Sequence, residues 1–239
     1  TGTTPAKGPL SVGTFYFSAT GNASYGYFAS GSVGTNIDRI DYGNDTATAT
    51  PKGSLSTPSS TYNHSATGNT SYGYFAGGEP GPGAISTIDR IDYSNDTATA
   101  SPKGSLSVAK YSAAGASSRA NALPTADVIT AANIINPHSE NSDDANKYWG
   151  HQYDTTFDWD KTYADGNPVP VGGTYGYWAG GTPGPSPSTY STMERIDYSN
   201  DTPTATVKGT LVFKSNHLAG TGTRSFGYFA GRSPGSSSI

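Results

Sequence analysis

The tetrad Asp89-Arg90-Ile91-Asp92 sets two carboxylates around one guanidinium within four residues. Alternate side chains of a strand share a face, so Arg90 and Asp92 are expected to form a local ion pair. The tetrad returns as Asp38-Arg39-Ile40-Asp41 and, with one change, as Glu194-Arg195-Ile196-Asp197. Paired acids beside a base could serve catalysis, but recurrence at equivalent places within one chain argues for a structural brace.

A second concentration of reactive side chains runs from His138 to Asp154, with Glu140, Asp143, Asp144 and His151 between them. Its spacing fits neither HExxH nor HxxEH, so a solvated loop is expected rather than a metal site. The aromatics Tyr148, Trp149, Tyr153 and Trp159 lie in the same region. Rings beside Asp, Asn and Gln suit sugar recognition: the ring covers the apolar face of a pyranose while the polar groups take its hydroxyls. They could equally supply core to a divergent unit. No GxSxG, P-loop or GxGxxG pattern occurs, and no cofactor is expected.

The triplets Asn44-Asp45-Thr46, Asn95-Asp96-Thr97 and Asn200-Asp201-Thr202 are glycosylation sequons in form, as are those at Asn22, Asn63 and Asn69. Asn and Asp bond their own backbone and tolerate left-handed geometry, so turns account for them first. They lack the DxDxDG spacing of a calcium loop.

The elements that hold these residues are repeats. A GYF element starts at Tyr25, Tyr72, Tyr175 and Phe226, the first two 47 positions apart. A period of about 45–50 residues marks propeller blades rather than helical solenoids. Within one unit the expected strands are Tyr72–Ala76, Thr87–Tyr93, Thr97–Ser101 and Ser105–Tyr111, with turns at Ser94–Asp96 and Pro102–Gly104. The units are expected at about 25–71, 72–118, 119–174 (divergent) and 175–225. Residues 226–239 and 1–24 would combine into a closing blade that lacks one DRIDY strand. Thr1–Ser11 resembles the back half of a unit, so the sequence reads as beginning and ending in mid-repeat. The expectation is one all-β repeat domain, 1–239: a propeller of about five four-stranded blades, one composed of both termini.

Composition agrees with this. The chain has 239 residues, with 31 Gly and 16 Pro but only 13% charged side chains, which favours turns over helices. The net charge of −4 and the lack of a basic stripe argue against nucleic acid as a partner. No apolar run is long enough for a membrane helix, and no signal peptide is recognisable. With no Cys there is neither a disulfide framework nor a cysteine-zinc site.

Phe75-Ala76-Gly77-Gly78 with Ile91-Asp92-Tyr93, and Trp178-Ala179-Gly180-Gly181 with Ile196-Asp197-Tyr198, resemble the kelch type of β-propeller repeat. The kelch Trp, due near Thr99, is missing, and Ser30-Gly31 and Gly231-Arg232 depart from the double glycine. The runs Tyr72–Ser107 and Tyr175–Leu211 are also similar to repeats in structural, tail- or fibre-like proteins of marine cyanobacterial phages. That resemblance implies a non-enzymatic structural or adhesive protein of a virion or extracellular fibre. Its partners would be further copies of itself, in a possible head-to-tail fibre by strand addition, other virion proteins or host glycans. A soluble lectin-like propeller is the alternative. A carbohydrate-active enzyme would need two carboxylates converging at the hub, with Asp154 or Asp158 as candidates.

Overall fold

The alternation of aromatic and small residues in YGYFA, Tyr25–Ala29 and Tyr72–Ala76, and in YGYWA, Tyr175–Ala179, makes the second strand of a sheet three times over. In a strand, successive side chains point to opposite faces, and a sheet packed on both sides buries both sets. In the computed structural model, Tyr72–Ala76 is buried at every position but its first. The model describes residues 3–29, 31–57, 61–81, 83–117, 174–184, 189–222 and 226–231. Contacts divide the chain into two compact units, Thr1–Ala122 with Gly172–Ile239, and Leu123–Val171. The described residues all belong to the first.

The described residues are all-β apart from two short 3₁₀ turns, with strands in four antiparallel sheets. Sheet I is the meander β1 (Ser18–Gly21), β2 (Tyr25–Ala29), β3 (Asn36–Asp41) and β4 (Thr50–Ser54). Sheet II repeats it with β5 (Ser65–Gly68), β6 (Tyr72–Ala76), β7 (Thr87–Asp92) and β8 (Ser101–Ser105). Sheet III is β9 (Ala114–Ser117), β10 (Tyr175–Ala179), β11 (Thr192–Asp197) and β12 (Thr206–Thr210). Sheet IV has two strands, β13 (Ala219–Gly222) and β14 (Gly227–Ala230). The register is conserved from sheet to sheet: Tyr27 faces Arg39, Tyr74 faces Arg90 and Tyr177 faces Arg195.

Several sequence expectations change. The unit begins a strand earlier, at a run of four small residues before each aromatic strand: Ser-Ala-Thr-Gly in sheets I and II, Ala-Gly-Ala-Ser in III and Ala-Gly-Thr-Gly in IV. Small residues there let first strands of neighbouring sheets approach closely: a Cβ on Gly115 would stand 1.9 Å from the Ala66 carbonyl oxygen. Pro102-Lys103-Gly104 is not a turn but part of β8, an edge strand, where proline's missing N–H is tolerated. Thr97–Ser101 is mostly turn, and Ser105–Tyr111 holds only the end of β8 and an isolated bridge from Tyr111 to Thr182. The unit expected at 119–174 lies, but for residue 174, outside the described residues. The described strands on either side of it, Ala114–Ser117 and Tyr175–Ala179, pair directly in sheet III. The described residues form four sheets.

The core lies between successive sheets. Tyr27, Ile37, Leu55, Phe75, Ile91 and Ala100 pack between sheets I and II, and Tyr74, Ile88, Leu106, Trp178, Ile196 and Ala205 between II and III. Each sheet thus needs a neighbour to bury its second face, as in stacked-repeat proteins. Gly77 and Gly78, and again Gly180 and Gly181, take positive φ of 68° to 106° after the aromatic strand, which accounts for the double glycine.

Candidate functional site

The contact from one sheet to the next is built from the tetrad and the acidic turn, and it occurs twice in full. Tyr74 on β6 and Arg90 on β7 both donate to Asp201, at 2.9 and 2.7 Å, and Lys103 on β8 stands 3.7 Å from the same carboxylate. One sheet earlier, Tyr27 and Arg39 donate to Asp96 at 2.9 and 2.7 Å, with Lys52 at 3.4 Å. The backbone adds Gly53 N–H to the Asp96 carbonyl and Gly104 N–H to the Asp201 carbonyl, both 2.8 Å. Tyr27 stacks on Tyr93 and Tyr74 on Tyr198, with centroids 4.8 and 4.9 Å apart. Burial, aided by Asp96 or Asp201, raises the hydroxyls of Tyr27 and Tyr74 well above the usual phenol range, so both remain donors.

The expected Arg90–Asp92 pair is not formed within 4 Å. Each member of the tetrad has a different task. Asp89 accepts from the Ser56 N–H and hydroxyl of the preceding sheet, as Asp38 does from Ser11. Arg90 stacks over Tyr72 and reaches the next sheet. Asp92 caps the 3₁₀ turn Tyr93–Asn95 by accepting from Ser94 N–H, as Asp41 does from Gly43 and Asp197 from Ser199. The partner of Arg90 is the aspartate of the sequon-like turn one sheet on. From the sequence, turn chemistry accounts for that aspartate first, and nothing within a single unit pairs it with Arg90. The equivalence of Asp45, Asp96 and Asp201 across the repeats was the signal for it.

Replacing Asp201 by alanine strands one arginine and one buried tyrosine hydroxyl. A loss of about 2–4 kcal/mol is expected in urea unfolding. Among the described residues the Asp45 side chain bonds only Lys7, with both side chains well exposed. Its replacement by alanine is expected to cost under about 1 kcal/mol. Equal losses for the two variants would contradict this assignment.

Glu194 departs from the aspartates at its position. It accepts from the Ser107 hydroxyl through one oxygen and faces Lys110 Nζ at 3.2 Å through the other, with both charged side chains wholly buried. Neither Lys110 Nζ nor Glu194 Oε2 has an aligned hydrogen bond, so the contact is chiefly Coulombic. Burial lowers the Lys110 ammonium below its ordinary range, opposed by the Glu194 charge. Lys110 was not among the residues singled out from the sequence. Nothing there marks it as the partner of an acid 84 positions away.

His64 is also buried, with both ring nitrogens unpaired, and burial lowers its pKa to about 4. The unfolded chain takes up that proton near the ordinary value of about 6.5. Between those limits the unfolded state binds more protons, so stability falls as pH drops from about 6.5 to 4, by about 3 kcal/mol in all. Urea midpoints at pH 7.5 and pH 5 should differ less in a His64→Leu variant than in the wild type. An unchanged difference would assign the acid sensitivity to other groups.

The first strands of all four sheets line one cavity of about 340 Å³, with Thr20, Thr67, Ser117 and Thr221 among its lining residues. The walls are hydroxyls, methyls and backbone, with no ionisable side chain. Among the described residues no group of three His, Asp or Glu is placed to hold a metal ion. Also among them, no helix is long and apolar enough to cross a membrane. Tyr148, Trp149, Tyr153 and Trp159 lie outside the described residues, as do the His138–Asp154 cluster and Asp158. The sequon-form asparagines Asn22 and Asn69 each accept from two following backbone N–H groups, which is turn chemistry.

One further feature runs through the sheets. Tyr16, Asn63, Ser112 and His217 each precede a first strand and each adopt a left-handed backbone, with φ from 53° to 62°. Asn63 N–H donates to Tyr16 O, Ser112 N–H to Asn63 O, and His217 N–H to Ser112 O, at 2.9 to 3.0 Å. No protein-family model and no curated protein matches the chain.

Proposed function

We propose that this chain is a non-enzymatic structural or adhesive protein, a propeller-type repeat whose sheets are its blades, acting through surface contacts in a virion appendage or extracellular fibre. Thr3–Ser11 fits the role of a blade's outermost strand. Its Gly8 N–H bonds the Asp45 carbonyl and its Pro9 carbonyl receives Ala49 N–H, the pattern that Gly53 and Ser54 make with the next sheet.

The observation that carries the reading is the repeated contact. Tyrosine, arginine and lysine converge on one aspartate at both full sheet-to-sheet junctions, so the residues that look reactive are spent on holding sheets together. The cavity among the first strands supports it too, because hydroxyls and methyls give no general acid, base or nucleophile pair.

Sedimentation of the chain over a concentration series, with electron microscopy of the same samples, tests this. Regular assemblies, or multivalent retention on a glycan surface without turnover, are expected. A monomer at every concentration that cleaves a glycan would overturn the proposal.

A further inference from the structure

Sheets I and II each present four groups to the sheet that follows: a tyrosine, an arginine, a lysine and a glycine N–H. In sheet III the same positions hold Tyr177, Arg195, Lys208 and Gly209. Among the described residues no carboxylate lies within 4 Å of Arg195 or Lys208, where Asp96 and Asp201 serve the earlier sheets. Arg195 keeps its stacking on Tyr175, with the guanidinium carbon 3.9 Å from the ring centre, so its head is held in place.

The glycine reports the same vacancy. A Cβ on Gly53 or Gly104 would sit 1.9 Å from a carbonyl oxygen of the following sheet's turn. At Gly209 the nearest atom is Met193 Cε at 3.9 Å. β12 is correspondingly the most exposed of the three fourth strands, with Val207 half exposed.

A second deficit adjoins the first. In sheets I to III the aromatic strand has a neighbour on both sides, but among the described residues β14 has only β13. Tyr228 on β14 is 44% exposed, while Tyr27 and Tyr74 at the matching position are fully buried. One segment, a third strand followed by its acidic turn, would satisfy both deficits.

We propose that the free edge of β14 and the uncovered outer half of sheet III form an acceptor groove for a β-strand carrying the repeat's own pattern, acid-Arg-Ile-Asp-Tyr-x-Asn-Asp, supplied by another chain of this repeat. The strand adds antiparallel to β14. Its turn aspartate accepts from Tyr177, Arg195 and Lys208, and the turn carbonyl accepts from Gly209 N–H. Its tyrosine stacks on Tyr177, as Tyr93 does on Tyr27. The groove is cationic and the incoming turn anionic, so charge fixes the register while main-chain bonds provide the general affinity. This deepens the contact-based function above by naming the partner segment, and rests on that reading only for the idea that contact is the purpose.

The test titrates the intact chain with a synthetic peptide of sequence Ser86–Ser107, followed by calorimetry. Saturable one-to-one binding is expected. Asp96→Asn in the peptide and Arg195→Ala in the protein should each weaken it at least about tenfold, since each leaves a charged partner unmet. Gly209→Leu should fold with an unchanged melting temperature, because space is open there, yet abolish binding by filling the carbonyl's place. No binding at millimolar peptide, or binding indifferent to both protein variants, would overturn the proposal. Either result would leave assembly of the intact chain, read by sedimentation, as a separate question.

Discussion

A Lys110→Ala variant is expected to lose about 3–5 kcal/mol of stability, because it leaves the Glu194 carboxylate buried without its counter-charge. Both side chains are wholly buried and 3.2 Å apart. Desolvating either ion alone costs several kcal/mol, and only the partner offsets it. Glu194→Ala should cost a similar amount by stranding the ammonium. The informative variant removes both charges. Lys110→Met with Glu194→Leu conserves volume roughly and leaves no buried charge, and Ser107, which is exposed, can turn its hydroxyl to water. That double variant is expected within about 1 kcal/mol of the wild type. Urea unfolding of the wild type, the double variant and its two components, Lys110→Met and Glu194→Leu taken singly, closes the cycle. Additive losses would show that the two side chains do not interact.

Gly104→Ala should be among the most damaging single-methyl additions in the described sheets, with Gly53 and Gly115, where a new Cβ would likewise stand 1.9 Å from a carbonyl oxygen. The new Cβ would meet the Pro203 carbonyl carbon at 2.6 Å and its oxygen at 1.9 Å. A backbone carbonyl in a bonded turn cannot swing aside as a side-chain end can. Overpacking of a yielding core costs about 1–3 kcal/mol, and this site is expected to reach or exceed the top of that range. The same change at Gly209 meets nothing closer than 3.9 Å and should be neutral within about 0.5 kcal/mol. Both glycines occupy the same place in the repeat, so strand propensity cancels in the comparison. Equal losses would mean that the close approach between sheets II and III is not what glycine serves.

The aromatic strands and the tetrad strands were legible because each carries a strong alternating pattern. Tyr72–Ala76 is a strand as expected, and Thr87–Asp92 ends one residue early. Ser-Ala-Thr-Gly was not legible. Four small residues carry almost no hydrophobic signal, and their fitness lies in the bulk they omit, which would strike the neighbouring sheet. Pro102-Lys103-Gly104 misled for the opposite reason. Its composition speaks of turns, but an edge strand can spare the proline N–H, and the glycine is fixed by the carbonyl across the junction. The Arg90–Asp92 pair failed on competition. Asp201 is less exposed, carries a tyrosine bond as well, and lies on the side toward which Arg90 extends. None of that can be read from a single unit, because the partner belongs to the next one. Tyr148, Trp149, Tyr153 and Trp159, the aromatics expected to suit sugar recognition, fall outside the described residues.

The left-handed residues Tyr16, Asn63, Ser112 and His217 form a thread in which every peptide hands its hydrogen the same way. Such a thread has an arrow. A two-fold axis between identical ends would bring amide against amide, or carbonyl against carbonyl, and neither can bond. Copies that extend the thread must therefore arrive head to tail, in a heterologous contact that makes a ring if the rotation closes and a filament if it does not.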